Sequence, residues 1–198
     1  TGPTKAFEAP QVNDLWRVDF SPGPTLSANG KSQVTQWAVL IDDHSRLIPF
    51  AAYYPQAHTE AFHHALKEAI LRRGLPRKLD TDQGKPFVSS HTRRVCARLG
   101  LRLLPGKPYP SWSKGKIERV IQTIPQGFES TLRPEGNRAR SLEELNPKLS
   151  AWIQTLYPQR AHSSTGVSPE RRDQPAARTL RHLEAGLDID PLFYIQLD

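Results

Sequence analysis

The sequence predicts a mixed α/β fold: a five-stranded sheet, three antiparallel strands followed by two further strands, flanked by helices. Three observations predict it. Short apolar runs rich in β-branched and aromatic residues come first, with no helical period among them. Segments with apolar residues at helical spacing then alternate with short apolar stretches. Turn residues punctuate the boundaries, and the 18 prolines argue for several turns and broken helices.

The elements follow in order. Leu15–Phe20 sets Trp16, Val18 and Phe20 against Arg17 and Asp19, the alternation of a strand. Ser21–Ser32, rich in Pro, Gly and Ser, reads as a loop. Gln33–Ile41 and Leu47–Tyr54 are two more strands, and the turn-like Asp42-Asp43-His44-Ser45 joins them in a hairpin. A helix from Thr59 to Gly74 carries Phe62, Ala65, Leu66, Ala69 and Ile70 on one stripe, with Glu60 early and Arg72 and Arg73 late. Pro76–Thr81 is a short strand delivering Asp82 to its end. Ser90–Leu99 is a helix stopped by Gly100, and Leu101–Leu104 is the fifth strand. Lys107–Ser113, with Pro108 and Pro110, reads as a loop; a helix from Lys114 carries Glu118 and should end or kink near Ile124, before Pro125. Ser141 and Glu144 form a capping-box signal. Pro147 argues for a short turn there, followed by a helix capped by Asn146 and running to about Leu156. Leu180, Leu183 and Leu187 suggest a weak helix, and Phe193–Leu197 a last strand.

At 198 residues the chain suits one domain, expected at 1–170, with 171–198 an extension toward a further domain. The absence of methionine and the start at Thr1 read as a piece of a longer protein. No signal peptide and no apolar run approaching the roughly 20 residues of a membrane span is visible, so no membrane partner is expected. Cys96 is the single cysteine, which excludes a disulfide framework and a thiolate zinc site and fits a reducing cytoplasm. Lys and Arg total 27 against 20 acids, a net +7. That balance favours a polyanion as partner, although by charge alone a merely soluble basic protein fits as well.

Three carboxylates stand out. Asp19 lies inside an apolar strand, where an unpaired charge loses hydration and wants a metal or a cation; an ion pair with Arg17 is the plain alternative. Asp82 precedes Gln83-Gly84, a tight turn whose backbone can approach a phosphate, or simply an Asx turn. Glu118 sits on a helix, with 35 residues between it and Asp82, a spacing that twenty acids would supply by chance. Brought together, three acids can hold two divalent cations about 4 Å apart for in-line phosphodiester chemistry. An all-oxygen set suits Mg²⁺ or Mn²⁺. Asp42 and Asp43 read as turn residues, Asp80 shares a strand face with Asp82, and Glu60 and Glu68 read as a capping charge and a solvated residue.

The local sequences decide more than the spacing. Leu15–Phe20, Thr81–Phe87 and Tyr109–Arg119 resemble the three catalytic segments of the DDE transposase and retroviral integrase superfamily. Gly115 falls three residues before Glu118, and Thr123-Ile124 falls where the family has a Thr-Leu pair. Arg160-Ala-His162 and Gly166-Val-Ser-Pro169 resemble the ending of bacterial insertion-sequence and Mu/Tn-like enzymes, so the likeness spans about residues 13–172. Gln83, where the family usually has Asn, and Trp112, where a smaller polar residue is commoner, depart from it. The resemblance implies an RNase H-like fold with Asp19, Asp82 and Glu118 as catalytic residues and metal ligands. It implies two Mg²⁺ or Mn²⁺ ions, 3′-end cleavage and strand transfer of a mobile element into target DNA, multimers assembled on DNA, and a bacterial nucleoid setting. It also admits an accessory ATPase, and a fragment that binds DNA weakly on its own.

Lys107, Lys114, Lys116 and Arg119 surround the third acid and would grip the substrate backbone, or else form a solvated surface. Trp112 would stack on a terminal base or pack the loop; Arg160 and His162 would contact DNA or brace the core. Two rival classes remain. An RNase H-like hydrolase of RNA–DNA hybrids needs an acid from the first helix, Glu60 or Glu68, turned inward. A non-catalytic DNA-binding or assembly domain needs no intact acid triad.

Overall fold

Period-two alternation sorts the first strand between two cores. Trp16 and Val18 enter one apolar layer with Ala38, Leu40, Phe50, Ala52 and Leu79, whereas Asp19 is in register with Val39, which belongs to the opposite layer with Trp37, Ile41 and Tyr53. The computed structural model describes residues 8–28, 30–106, 111–134, 137–160, 165–174 and 180–194, the side chains of 28, 111–117 and 120 excepted. The strands are β1 (Leu15–Ala28), β2 (Lys31–Asp42), β3 (Phe50–Tyr54), β4 (Lys78–Thr81) and β5 (Arg102–Pro105). They form one sheet in the order β3-β2-β1-β4-β5, antiparallel across the first three and parallel across β1, β4 and β5. The expected meander and the two added strands are present.

The expected loop at 21–32 is a correction: β1 continues to Ala28 and pairs with β2 throughout. Pro22 and Pro24 are tolerated because β4 pairs only with Leu15–Arg17, so the other edge of β1 has no ladder to break there. A register shift between Pro22 and Thr25 absorbs one extra residue. Gly23 is needed at that bulge, since a Cβ would meet Thr35 Oγ1 at 2.6 Å and the Tyr53 ring at 2.7 Å.

Helix α1 (Thr59–Arg73) begins where His58 Nδ1 accepts from the Ala61 amide and ends at Gly74, with φ 76°. It buries Phe62, Leu66 and Ile70 on the first layer. The short α2 (Lys85–Val88) and α3 (Ser90–Arg98) complete that side, adding Phe87, Val95 and Cys96. The other layer is closed by α4 (Ser111–Ser130) and α5 (Leu142–Thr155).

Both long helices correct the proline reading. Helix α4 starts at Ser111, inside the expected loop, and runs through Pro125; α5 runs unbroken through Pro147. A proline inside a helix costs about 3 kcal/mol. Burying Ile121, Ile124 and Phe128 from α4, at about 1.5–3 kcal/mol each, outweighs it. In α5, Ser141 caps the helix by accepting from the Glu144 amide, as the capping signal implied. Asn146 does not cap. Its side chain accepts from the Tyr53 amide at 2.7 Å and donates to the Tyr53 carbonyl at 2.9 Å, pairing with β3 as a further strand would.

The C-terminal segment also differs from expectation. Helix α6 (Pro169–Asp173) starts at the proline of the Gly-Val-Ser-Pro stretch. Residues 180–189 form no helix; Arg181 instead bridges to Leu75, and Leu183, Ile189, Leu192 and Phe193 pack on the α1 layer. Phe193 ends the short α7 (Asp190–Phe193) rather than opening a strand, and 195–198 lie outside the described residues. Apolar side chains there follow the surface they cover, not a helical period. No helix among the described residues is long and apolar enough to cross a membrane.

Replacing Asn146 by Ala strips both partners from Tyr53 at the sheet edge and should cost about 1–3 kcal/mol in urea unfolding. An unchanged midpoint would show that the clamp contributes nothing.

Candidate active site

The β1–β4 pairing fixes where two of the acids stand. Arg17 and Asp80 are partners in the parallel ladder, and Asp19 and Asp82 each lie two residues further along. Two residues restore the same face, so both carboxylates leave neighbouring lanes at one height, on the side that α4 covers. Helix α4 packs on β1 and buries Ile121 toward the sheet; Glu118, three residues earlier, lies on the same side one turn back.

The three carboxylates line one cleft of about 280 Å³, together with Arg17, Asp80 and Gln122. Asp19 is half-buried, while Asp82 and Glu118 are exposed at the rim. The Asp19 carboxyl is pushed up to about 6, first by burial, then by the negative charge of Asp82 and less by that of Glu118; a hydrogen bond from the Phe20 backbone opposes them. Asp82 Oδ1 accepts from the Gly84 amide at 2.6 Å, and a Cβ at Gly84 would stand 2.8 Å from that oxygen. The Asx turn and the close backbone approach are thus one feature. Among the described residues, no three acid, His or Cys side chains stand close enough together to hold a metal ion.

Arg17, the alternative partner for Asp19, is engaged elsewhere: it donates to Asp43 at 3.0 Å and to Asp80 at 2.8 Å, all three side chains being buried. Asp43 also accepts from the Ala9 amide, and Asp42 from the Asn13 amide and Ser45. Those two acids are structural, serving the turn and its neighbours. Glu60 and Glu68 line no part of the cleft; Glu60 lies 3.4 Å from His58 and Glu68 3.7 Å from Arg72.

Of the expected DNA contacts, Arg119 is exposed on α4 beside Glu118. Arg160 is exposed but lies outside the cleft lining, its guanidinium 5.6 Å above the Trp152 ring. That ring contact suits the bracing alternative. Trp112, Lys114 and Lys116 fall in the first turns of α4 with side chains outside the described residues, as are Lys107 and His162 altogether. Sequence reasoning missed Gln122 and Arg17 as cleft residues. Helical spacing from Glu118 signals the first, and the strand period from Asp19 the second.

This fold, with an acid-lined cleft at one end of the β1–β4 pair, is the RNase H-like fold of integrase catalytic cores. Residues 9–111 match the model of the integrase core domain, and the chain belongs to that family. The match includes Asp19 and Asp82 and stops before Glu118. The chain is 28% identical over 186 residues to the transposase for transposon Tn552 of Staphylococcus aureus, covering 83% of this chain and 38% of that protein. It is 28% identical to the transposase for insertion sequence IS1202 of Streptococcus pneumoniae, covering 90% and 38%. The chain thus spans about 38% of the length of these relatives. Among solved structures, the HTLV-2 integrase catalytic core domain in complex with magnesium aligns at TM-score 0.65 and 18% identity, over 82% of this chain and 97% of that one. The simian T-cell lymphotropic virus intasome aligns at TM-score 0.69 and 17% identity, over 92% and 61%.

Arg17→Met would leave Asp43 and Asp80 buried without their shared cation, a loss of about 3–5 kcal/mol in denaturant unfolding. Adding Asp80→Asn should recover part of it. A single variant as stable as the parent would contradict the bridge.

Proposed function

We propose that the chain is the catalytic core of a DNA transposase, freeing the 3′ ends of a mobile element and joining them to target DNA. The observation that carries this reading is the meeting of Asp19, Asp82 and Glu118 at one cleft in a chain of the integrase core family. The curated relatives, themselves named transposases, support it. The donor set fits divalent cations: every ligand atom offered is a carboxylate oxygen, and Asp19 already feels the repulsion of the other two, which a cation would relieve. Two Mg²⁺ or Mn²⁺ ions bound there would supply activation of the attacking oxygen and stabilisation of the leaving one.

The chain's own residues do the rest. Asp19, carried on a strand paired on both sides at its start and oriented by the Phe20 amide, would be the most rigidly held of the three ligands. Asp82, tethered by the Gly84 amide, and Glu118, on a helix of twenty residues, close from either rim. Water, then the freed 3′-OH, would occupy the same open side of the cleft, so one site serves both steps and needs no protein nucleophile. Arg119 beside Glu118 would hold the DNA backbone, and Lys107, Trp112, Lys114 and Lys116 fall in the same stretch of sequence. Assembly as a multimer on paired DNA ends follows from the same reading.

The hydrolase reading is disfavoured because neither Glu60 nor Glu68 lines the cleft. The test is to incubate the full-length protein with Mn²⁺ and labelled oligonucleotides carrying its element ends, beside an RNA–DNA hybrid. Joined DNA products are expected, and Asp19→Asn should reduce them to background. That variant should melt no lower than the parent, because burial and two neighbouring carboxylates already disfavour the Asp19 charge. Degraded RNA without joining would favour the hydrolase. Tight DNA binding with neither product would favour an assembly domain, and undiminished joining by Asp19→Asn would end the assignment.

A further inference from the structure

Gly106 marks the point where the chain leaves the sheet on its way to the helix that carries Glu118. It follows β5 directly, and its amide donates to the Thr81 carbonyl at 2.8 Å. Thr81 and Pro105 are partners in the β4–β5 ladder, so the next positions along the two strands are Asp82 and Gly106. The Gly106 backbone is left-handed, with φ 56°, a conformation that favours glycine.

A side chain from the facing strand end lies across it. A Cβ on Gly106 would meet Gln83 Cγ at 2.4 Å, Nε2 at 2.6 Å and Cδ at 2.8 Å, so Gln83 fills the space that a side chain at 106 would need. Gln83 stands between Asp82 and Gly84, the two ends of the hydrogen bond that shapes the Asp82 turn. Through Gln83, that turn is in contact with the exit of β5. The contact sits at the surface, Gln83 exposed and Gly106 half-buried, so it adds little to global stability. Its effect is local. Backbone freedom is greatest at glycine, and a side chain laid over one face of Gly106 removes part of it. Beyond this exit, α4 begins at Ser111 and is pinned to the sheet by Ile121, Ile124 and Phe128. Glu118 lies between that anchor and Gly106 along the chain.

We propose that Gln83 is a positioning residue of the acid cleft: laid across Gly106, it holds the exit of β5 against the Asp82 turn and so governs how Glu118 is presented to Asp19 and Asp82. In this role it acts through the backbone and touches neither substrate nor ion. The three acids then take up divalent cations at a lower ion concentration than they would with that exit loose. This rests on the reading that the three acids are the metal ligands.

The test measures Mn²⁺ binding to the chain, without DNA, by loss of the free-ion electron paramagnetic resonance signal. Asp19→Asn, the reference for the cleft, should abolish binding there. Gln83→Ala should raise the apparent dissociation constant about tenfold. Gln83→Met, which keeps the length of the side chain and drops its amide, should stay near the parent. Gly106→Ala, whose Cβ would displace Gln83, should weaken binding as well. The double variant should bind no more weakly than the worse single one, because both changes remove one contact. Unchanged affinity in Gln83→Ala would overturn the proposal. So would a loss in Gln83→Met as large as in Gln83→Ala, which would give the amide itself a contact, or Mn²⁺ binding that survives Asp19→Asn undiminished. Melting by circular dichroism keeps unfolding apart; if Gly106→Ala melts early, the two Gln83 variants carry the readout. Joining of end oligonucleotides by the full-length protein separates the two readings: no joining, with the Mn²⁺ effect of Gln83→Ala intact, counts against the transposase and not against this role.

Discussion

The register of β1 against β4 is the constraint from which the site follows. With Arg17 opposite Asp80, the next same-face positions on the two strands are Asp19 and Asp82. A slip of one residue would turn Asp19 into the apolar layer of Phe62 and Leu66, and Trp16 out of it. The register is held by burial on both faces and by the bridge of Arg17 to Asp43 and Asp80, which ties the β2–β3 turn to both strands. Burying an ion pair contributes little net energy, but misplacing one partner costs several kcal/mol, so the bridge acts as a registration device. The fold thereby accepts three mutually repelling carboxylates at one end of the sheet.

Much of this was legible in the sequence, and the failures have physical causes. Strong periodicity exposed the strands at Trp16–Phe20 and Trp37–Ile41 and the helix from Thr59 to Gly74, because each buries a full stripe or face. The three acids were legible from the short sequences around them, not from their spacing. Prolines misled. Pro22 and Pro24 sit on a strand edge with nothing to pair, and Pro125 and Pro147 sit in helices whose buried faces outweigh the lost hydrogen bonds. Asn146 looked like a helix cap because Asn favours caps; its partner, Tyr53, is 93 residues away and invisible to local reasoning. Arg17 was considered as a partner for Asp19, since nothing local shows that Asp43 and Asp80 converge on it from two other segments.

Charge is partitioned as deliberately as apolar surface. Acids that the fold buries, Asp42, Asp43 and Asp80, are satisfied by backbone amides, Ser45 or Arg17, whereas those at the cleft retain lone pairs for a ligand. Basic residues concentrate in the segment between the second and third cleft acids, three of them on α3. The cleft thus presents negative charge where a cation can intervene.

The most direct test of the central claim is anomalous diffraction at the manganese edge from crystals soaked in Mn²⁺. Two peaks about 4 Å apart, bridged by Asp19 and completed by Asp82 and Glu118, are the predicted result. Manganese bound away from these three side chains, or an empty cleft at saturating Mn²⁺, would contradict the account.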